Sequence, residues 1–326
     1  MTSQTKTTNI LQMFQNIIGQ HRAKKQLNFF LDGFLATFCA PHILLGGEKG
    51  NGKTLLAKTF AKNLLKQDRT DKKSIVEINC STVRNITQFV NDVYIPHLQD
   101  KEATLILDEC SELPNSVTMA LLTLLNPNQN KFNTLMVGGA QVDFDFHKLS
   151  IIFCTTDPQQ MNRALLDRCE MIDLEPYNAE ELLAILRVSM GRNGVNIYHI
   201  EDDAGKRLAA TLRGNARAAQ KMADKVKLYL DARSKSTFAE ADLDDFVDKL
   251  GIYPYGLSSI ENKILEILRE SPNCSLTMLS AKTGIAREAL QKYYEIHLMR
   301  LGLLHVGIGG RQITSKGVDY LIKGKV

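Results

Sequence analysis

Short apolar runs alternate with helical stretches through the first half of the chain. Runs with the length and composition of buried strands occupy residues 42–45, 74–78, 104–107 and 149–154. Helical patterns occupy residues 20–34, before the first run, and residues 53–65, after it. This alternation predicts a mostly parallel β-sheet covered by helices.

A different pattern stands immediately before the last of these runs. Val142, Phe144 and Phe146 alternate with polar residues, and Gly138-Gly139 separates them from the apolar segment 135–137. Alternation across a double glycine is typical of two antiparallel strands joined by a tight turn. We therefore expect a β-hairpin over residues 135–146, inserted before the strand that begins near residue 149.

The pattern becomes helical after Tyr177. Four helices are predicted, at residues 179–190, 201–212, 215–230 and 239–250. Pro254-Tyr255-Gly256 interrupts the pattern, and three further helices are predicted at residues 260–270, 275–283 and 286–301. A glycine-rich hairpin over residues 304–314 follows them. Three helices and a hairpin wing are the pattern of a winged-helix domain, which is a helix-turn-helix variant.

The predicted organisation is therefore an α/β fold in three domains. Residues 1–176 form a large domain with a parallel sheet and helices on both faces, residues 177–254 a small all-helical domain, and residues 255–326 a winged helix. The length of 326 residues agrees with this division, since single hydrophobic cores rarely serve more than about 300 residues.

Composition narrows the class of protein. Hydrophobic residues make up 44% and charged residues 23% of the chain, as in ordinary soluble globular proteins. No apolar stretch approaches the roughly 18 residues that a bilayer span needs, and the N-terminus lacks the apolar core of a secretory signal. The six cysteines form no C-x-x-C pair, and the seven histidines form no H-x-x-x-H pattern. We expect a cytoplasmic protein with reduced thiols and no structural metal.

The net charge of +4 is confined to the C-terminal segment. Residues 256–326 contain ten basic and six acidic residues, whereas the remainder contains 30 of each. A basic surplus concentrated in one terminal segment favours an anionic partner there, while a solvated basic surface is the alternative that charge alone leaves open. The candidate DNA-binding residues are Arg287, Lys292, Arg311 and Lys316, with Arg311 beside Gly309-Gly310 at the expected hairpin tip.

The strongest chemical signal lies between the first predicted strand and the helix that follows it. Residues 47–54 read G-E-K-G-N-G-K-T, a complete G-x-x-x-x-G-K-[ST] motif. Glycines at 47, 50 and 52 allow backbone N–H groups to turn inward around phosphates, and the helix N-terminus adds its positive end. Lys53 is expected to contact the β- and γ-phosphates and Thr54 to ligate Mg²⁺.

Two adjacent carboxylates end the apolar run at residues 104–107. Asp108 and Glu109 would lie at the carboxyl end of a strand, which is where the Mg²⁺ of a phosphate-binding sheet is held. Adjacent acids at a strand end are common, but these follow the phosphate loop on a neighbouring strand. We expect Asp108 to hold Mg²⁺ and Glu109 to polarise the attacking water.

With these motifs the chain resembles the AAA+ ATPases and, among them, the RuvB family of Holliday-junction branch-migration motors, over almost its whole length from Phe14. The matching segments are F-Q-N-I-I-G-Q at 14–20, S-I-I-F-C-T-T at 150–156, L-D-R at 166–168, R-G-N-A-R at 213–217, L-M-R-L-G-L-L at 298–304, Gly310-Arg311 and G-V-D-Y-L at 317–321.

The resemblance assigns further roles to residues in these segments. Ile18 and Tyr177 would border the adenine. Thr156, in preference to the alternative Thr155, would sense the γ-phosphate at the sensor 1 position. Arg168 would act as an arginine finger on the nucleotide of a neighbouring subunit, and Arg217 would be the sensor 2 arginine. Such fingers contribute about 10³ to 10⁵ in rate.

The function implied by this resemblance is that of an ATP- and Mg²⁺-dependent helicase. A homo-hexameric ring would translocate duplex DNA and drive branch migration of four-way junctions in recombination and repair. In the family the hairpin before sensor 1 docks on the junction-binding partner RuvA. Here its tip is shortened to Gly138-Gly139-Ala140-Gln141, which argues against docking on a RuvA-type partner.

Other AAA+ functions remain open at this point. The segment C-T-T-D-P-Q at 154–159, with Arg168-Cys169, also resembles bacterial clamp-loader subunits, although these carry a helical collar in place of a winged helix. An origin-binding assembly factor that uses ATP as a switch is a second alternative, and a DNA-binding module with a regulatory ATPase is a third. The usual Arg-Pro before the opening motif is replaced by Ile-Leu-Gln-Met at 10–13, which indicates a divergent member.

Overall fold

The structure, a computed structural model, describes residues 13–191 and 198–323. By its internal contacts the chain divides into two compact units. The first comprises Met1–Glu181 together with Gly214–Arg217, and the second comprises Leu182–Arg213 together with Ala218–Val326.

The first unit is built on a five-stranded parallel sheet with strand order β2-β3-β6-β1-β7. In chain order its strands are β1 (Ile43–Gly46), β2 (Ser74–Asn79), β3 (Ala103–Asp108), β6 (Leu149–Thr155) and β7 (Glu170–Asp173). A separate antiparallel hairpin consists of β4 (Phe132–Val137) and β5 (Ala140–Asp145). Since every strand of the sheet is parallel, all five carboxyl ends lie at one edge.

Helices cover both faces of this sheet. They are α1 (His21–Thr37), α2 (Lys53–Ala61), α3 (Ile86–Phe89, π-helical Val90–Tyr94 and Ile95–His97), α4 (Asn115–Leu124) and α5 (Arg163–Leu166). Leu44 packs into the core beneath α3 and α4, whereas its neighbour Leu45 packs into the core beneath α1 and α2. This alternation is the period-two rule for a strand that is buried on both faces.

The four predicted strands are confirmed with boundaries within two residues, but the fifth strand of the sheet was not predicted. β7 contains a single buried residue, Ile172, among exposed neighbours, because it is an edge strand. A four-residue strand with only one buried apolar residue is too short to show the alternation by which strands are predicted from sequence.

The predicted hairpin is also confirmed, although it begins at Phe132 rather than at residue 135. Val137 pairs with Ala140, so that Gly138 and Gly139 alone form the turn, with φ of 57° and 86°. Two consecutive left-handed residues suit the right-handed twist of the flanking strands.

The second unit begins within α6 (Ala179–Gly191) and continues through α7 (Asp202–Ala210), α8 (Ala216–Asp231) and α9 (Glu240–Leu250). The expectation that this part of the chain is entirely helical is wrong in one detail. A two-residue parallel pair joins β8 (His199–Ile200) to β9 (Thr237–Phe238). Two residues are too few to produce a strand pattern in the sequence.

The winged helix has the predicted elements and one more. They are α10 (Ser259–Glu270), α11 (Leu276–Thr283), α12 (Arg287–Ala289, π-helical Leu290–Glu295 and Ile296–Arg300), β10 (Leu304–Gly307), β11 (Gly310–Ile313) and the additional α13 (Ser315–Lys323). Leu268, Leu279, Leu290 and Leu298 form its separate core.

Other expectations concern thiols, metals and membranes. All six cysteines are free. Within residues 13–191 and 198–323, no group of three His, Cys, Asp or Glu side chains is placed to hold a metal ion. No helix in these ranges has the length and apolar character needed to span a bilayer.

Candidate functional site

The loop between β1 and α2 follows a backbone path that depends on glycine. Gly47, Gly50 and Gly52 have φ of 147°, 89° and 92°. A Cβ on Gly50 would lie 2.1 Å from Oδ1 of Asn215, and one on Gly47 would lie 2.9 Å from the carbonyl oxygen of Leu174. Positive φ and close neighbours together exclude other residues, because only glycine adopts such angles without strain and needs no space for a Cβ.

Lys53 folds back over this loop from the first turn of α2. Its Nζ donates to the carbonyl oxygens of Gly47 at 2.8 Å and Glu48 at 3.1 Å, and the residue is only 7% exposed. Burial lowers the pKa of Lys53, the carboxylates of Glu109 and Asp108 oppose this, and the charge of Arg217 adds to it. A desolvated ammonium in this position gains by contact with an anion.

Thr54 and Asp108 meet at the carboxyl edge of the sheet. The Thr54 hydroxyl donates to Oδ2 of Asp108 at 3.0 Å, while Oδ1 of Asp108 accepts from the backbone N–H of Glu109 at 3.1 Å. A hydroxyl and a carboxylate beside a phosphate loop are the hard oxygen donors that Mg²⁺ prefers. The residues therefore fit the predicted Mg²⁺ site.

Glu109 and Thr156 form a second pair at the same edge. Glu109 has left-handed backbone angles, φ 52° and ψ 48°, and its Oε2 accepts a hydrogen bond from the Thr156 hydroxyl at 3.3 Å. The neighbouring Thr155 is buried, and its hydroxyl accepts from the backbone N–H of Asp157 at 3.1 Å. Thr156, rather than Thr155, is thus the threonine beside the carboxylates.

The segment expected to border the adenine contacts the other side of the loop. Tyr177 is buried, which raises its pKa, and its hydroxyl donates to the carbonyl oxygen of Asn51 at 3.2 Å. The Gln20 amide donates to the same carbonyl at 3.3 Å and to that of Glu175 at 2.7 Å. Ile18 is half-buried two residues before Gln20. Gln20 was not singled out from the sequence, although it closes the opening motif.

The turn within the R-G-N-A-R segment holds the phosphate loop from the opposite direction. The Asn215 amide donates to the carbonyl oxygen of Lys49 at 2.9 Å, and the backbone N–H of Ala216 donates to that of Gly50 at 3.2 Å. Arg217 is exposed. Its charge contributes to the low pKa of Lys53. Asn215 was missed because it occupies a variable position of R-G-x-x-R, so nothing in the motif marks it.

Arg168 lies at the amino ends of the strands, opposite the carboxyl ends that carry the phosphate loop. Glu170, two residues later, pairs with Ile43 at the start of β1, whereas the phosphate loop follows Gly46 at its end. A four-residue strand is about 13 Å long, so Arg168 is remote from Lys53 of its own chain. Its Nη1 donates to the carbonyl oxygen of Ala164, and its Nη2 donates to Oδ1 of Asn126 at 3.4 Å. Its buried Nε has no hydrogen-bond partner among the residues that the structure describes.

The basic residues of the winged helix divide into two groups. Arg287, Lys292 and Lys316 are exposed, and the ammonium of Lys316 donates to the carbonyl oxygen of Leu301 at 2.8 Å. Arg311, by contrast, is only 9% exposed. It binds Glu295 through two hydrogen bonds, from Nε at 2.7 Å and from Nη2 at 3.1 Å.

The expectation that Arg311 stands at the hairpin tip is therefore wrong. Gly307 pairs with Gly310, so Ile308 and Gly309 form the tip and Arg311 lies within β11. The backbone N–H and carbonyl of Arg311 also bond to Cys274, at 2.8 and 3.0 Å. Strand alternation turns its side chain inward, where the buried carboxylate of Glu295 neutralises it.

Two family models match the chain. The model of the ATPase family associated with various cellular activities (AAA) matches residues 43–177. The model of the RuvB C-terminal winged helix domain matches residues 254–322. Between them the models cover both the carboxyl edge of the sheet and the winged helix.

Known proteins resemble the chain over nearly its whole length. The Holliday junction branch migration complex subunit RuvB of Latilactobacillus sakei is 25% identical over 319 residues, or 95% of this chain and 90% of the relative. The protein of the same name from Solibacter usitatus is 26% identical, covering 93% and 86%. Among solved structures, the Thermotoga maritima RuvB Holliday junction branch migration motor has this fold, with a TM-score of 0.72 at 23% identity and coverage of 94% and 95%.

Replacing Gly50 by alanine tests the geometry of the phosphate loop. We expect Gly50→Ala to abolish binding of a fluorescent ATP analogue, since the new methyl group would collide with Asn215 and φ would remain strained. Gly138→Ala is the matched control: its φ is also positive, but nothing lies within 4 Å of the added Cβ. It should retain binding at a cost of about 1 kcal/mol in stability. Wild-type affinity in Gly50→Ala would contradict the assigned loop geometry.

Proposed function

We propose that this chain is a divergent member of the RuvB family, an ATP-driven ring motor that translocates duplex DNA and drives branch migration of four-way junctions. One observation carries the proposal. The phosphate loop, the Thr54–Asp108 pair and the Glu109–Thr156 pair converge at one sheet edge. The RuvB-type winged helix supplies the DNA-binding element of the same chain.

In this proposal each residue at the carboxyl edge of the sheet has a separate task. Lys53 binds the β- and γ-phosphates of ATP, and Thr54 and Asp108 hold Mg²⁺, which neutralises phosphate charge when bound. Glu109 orients the attacking water and accepts its proton. The hydrogen bond from Thr156 holds the Glu109 carboxylate, and Arg217 places a further positive charge near the phosphates.

Hydrolysis requires a second copy of the chain under this proposal. Arg168 lies at the amino edge of the sheet, a strand length from its own phosphate loop. In a ring with head-to-tail interfaces, the amino edge of one subunit can face the nucleotide of the next. We assign Arg168 to the neighbour's γ-phosphate, and a homo-hexamer is the assembly that we expect.

DNA binding is assigned to the exposed cations of the winged helix. Arg287, Lys292 and Lys316 remain candidates, whereas Arg311 is withdrawn because Glu295 neutralises it. A motor that moves along arbitrary sequence cannot depend on base-edge contacts, so phosphates are its natural ligands. We place this activity in the cytoplasm, together with the DNA.

A junction-binding partner is part of the proposal, although the shortened hairpin tip disfavours docking of a RuvA-type protein there. The names of the relatives describe a subunit of a complex. In this chain the hairpin β4–β5 exposes Phe132 and Met136, both large and apolar, on one of its strands. Exposed apolar side chains on a short hairpin offer a surface that a protein partner can cover.

The RuvB-type winged helix disfavours the clamp-loader alternative.

A synthetic four-way junction with a mobile homologous core tests this function. We expect the protein, with ATP and Mg²⁺ and with or without a RuvA-type partner, to convert the junction into two duplexes. The Glu109→Gln variant is the control, since it keeps the shape and the Mg²⁺ ligands but loses the carboxylate that activates water. It should bind ATP and convert no junctions. If the wild-type protein hydrolyses ATP but converts no junctions, either with or without the RuvA-type partner, the switch alternative is favoured instead.

The DNA contacts are tested by salt dependence. We expect Lys292→Ala to weaken binding equally on two unrelated duplexes and to lower the slope of log K against log salt by about 0.9, because one phosphate contact is lost. Lys225→Ala, an exposed lysine of α8 outside the winged helix, is the matched control and should leave the slope unchanged. Fluorescence anisotropy across a salt series measures both. An unchanged slope in Lys292→Ala would remove Lys292 from the DNA interface.

A further inference from the structure

Arg213, the first arginine of the R-G-x-x-R segment, is bound to the winged helix. Its Nε donates to the carbonyl oxygen of Gly256 at 2.8 Å. Its Nη1 donates to Oε1 of Glu261 at 3.1 Å, and its Nη2 donates to Oε2 of Glu261 at 2.5 Å. Each of the three guanidinium nitrogens thus has an acceptor at the start of the winged helix.

Glu261 is held in place for this contact. It is fully buried in the first turn of α10, and its Oε2 also accepts from the backbone N–H and hydroxyl of Ser258, both at 2.7 Å. The Ser258–Glu261 capping box therefore fixes the carboxylate before Arg213 pairs with it. A bidentate, charge-assisted pair with a fully buried partner is geometrically specific.

The backbone at this junction is packed without space for a side chain. Gly256 has a φ of 68°, and a Cβ there would lie 2.0 Å from the carbonyl oxygen of Thr211, which follows α7. His297 of α12 contacts the carbonyl oxygen of Tyr255 at 3.3 Å. Burial lowers the pKa of His297, and the nearby charge of Arg213 lowers it further. The end of α7 and the start of the winged helix are therefore in direct contact.

The residues that follow Arg213 contact the phosphate loop instead. Gly214–Arg217 belong to the first unit, and within it Asn215 and Ala216 bond to the carbonyl oxygens of Lys49 and Gly50. Arg213 and Asn215 are only two residues apart along the chain. One is held by the DNA-binding domain and the other by the nucleotide loop.

We propose that the Arg213–Glu261 ion pair transmits the nucleotide state of the phosphate loop to the winged helix. Arg213 is then a positioning residue that couples ATP hydrolysis to DNA movement, while Arg217 remains the arginine near the phosphates. This inference rests on the proposed ATPase and DNA-binding functions, but not on branch migration itself.

The test measures coupling rather than activity alone. In Arg213→Gln we expect the ATPase rate without DNA and the affinity for duplex DNA to stay near wild type. Stimulation of the ATPase by duplex DNA should fall at least about fivefold, the lower end of typical coupling between sites. Glu261→Gln should behave in the same way, and the double variant should be no worse than either single variant, because all three lose the same ion pair.

Controls separate coupling from a general defect. Arg207→Gln removes an ion pair of the same helical region, between Arg207 and Glu240, and should leave DNA stimulation unchanged. Thermal melting checks that each variant folds. If Arg213→Gln does not fold, Arg213→Lys, which keeps the charge but loses the bidentate geometry, takes its place with a partial loss of stimulation expected.

Two results would overturn the proposal. Unchanged DNA stimulation in folded Arg213→Gln or Arg213→Lys would show that the ion pair carries no coupling. A parallel fall in the ATPase rate without DNA would place Arg213 at the nucleotide. Failure of the proposed function is distinguishable, since a wild-type protein that moves no junction still reports DNA-stimulated ATP hydrolysis.

Discussion

The parallel direction of the strands is the constraint on which the rest of the site depends. β1 pairs in parallel with β6 on one side and β7 on the other, so the carboxyl ends of all three strands meet at one edge. The phosphate loop begins at that edge, and Asp108 and Thr156 lie at the same edge. The same strand direction places Arg168, which precedes β7, at the opposite edge. A single chain therefore separates its phosphate loop from its candidate finger by the length of a strand, which is why we assign Arg168 to the nucleotide of a neighbouring subunit.

Two ion pairs hold arginines that the sequence alone suggests as ligand contacts. Arg311 pairs with buried Glu295 inside the winged helix, and Arg213 pairs with buried Glu261 at its entrance. Removing one partner of such a pair leaves an uncompensated buried charge, which typically costs 3–5 kcal/mol. Each of these arginines is thus held at its glutamate.

The fold was largely predictable because its strands are long, buried and flanked by clear helical patterns. β7 and the β8–β9 pair escaped prediction because two to four residues carry almost no periodicity. At the candidate site, motifs with fixed spacing singled out the phosphate loop and the Asp108–Glu109 pair, and the structure brings these residues to one side of the sheet. Asn215 and Gln20 contact the phosphate loop through tertiary hydrogen bonds, which no local sequence pattern predicts. Arg311 was misplaced for a related reason: its buried partner, Glu295, lies 16 residues away on another element.

The central claim, that one subunit completes the site of the next, is tested most directly by mixing two inactive variants. Lys53→Ala removes the phosphate-binding ammonium but keeps Arg168, and Arg168→Ala keeps the phosphate loop but lacks the finger. Each variant alone should hydrolyse almost no ATP. An equal mixture should recover roughly a quarter of the wild-type rate, because that fraction of head-to-tail interfaces in randomly mixed rings joins an intact loop to an intact finger. No recovery, in mixed rings demonstrated by native mass spectrometry, would contradict a finger that acts between subunits.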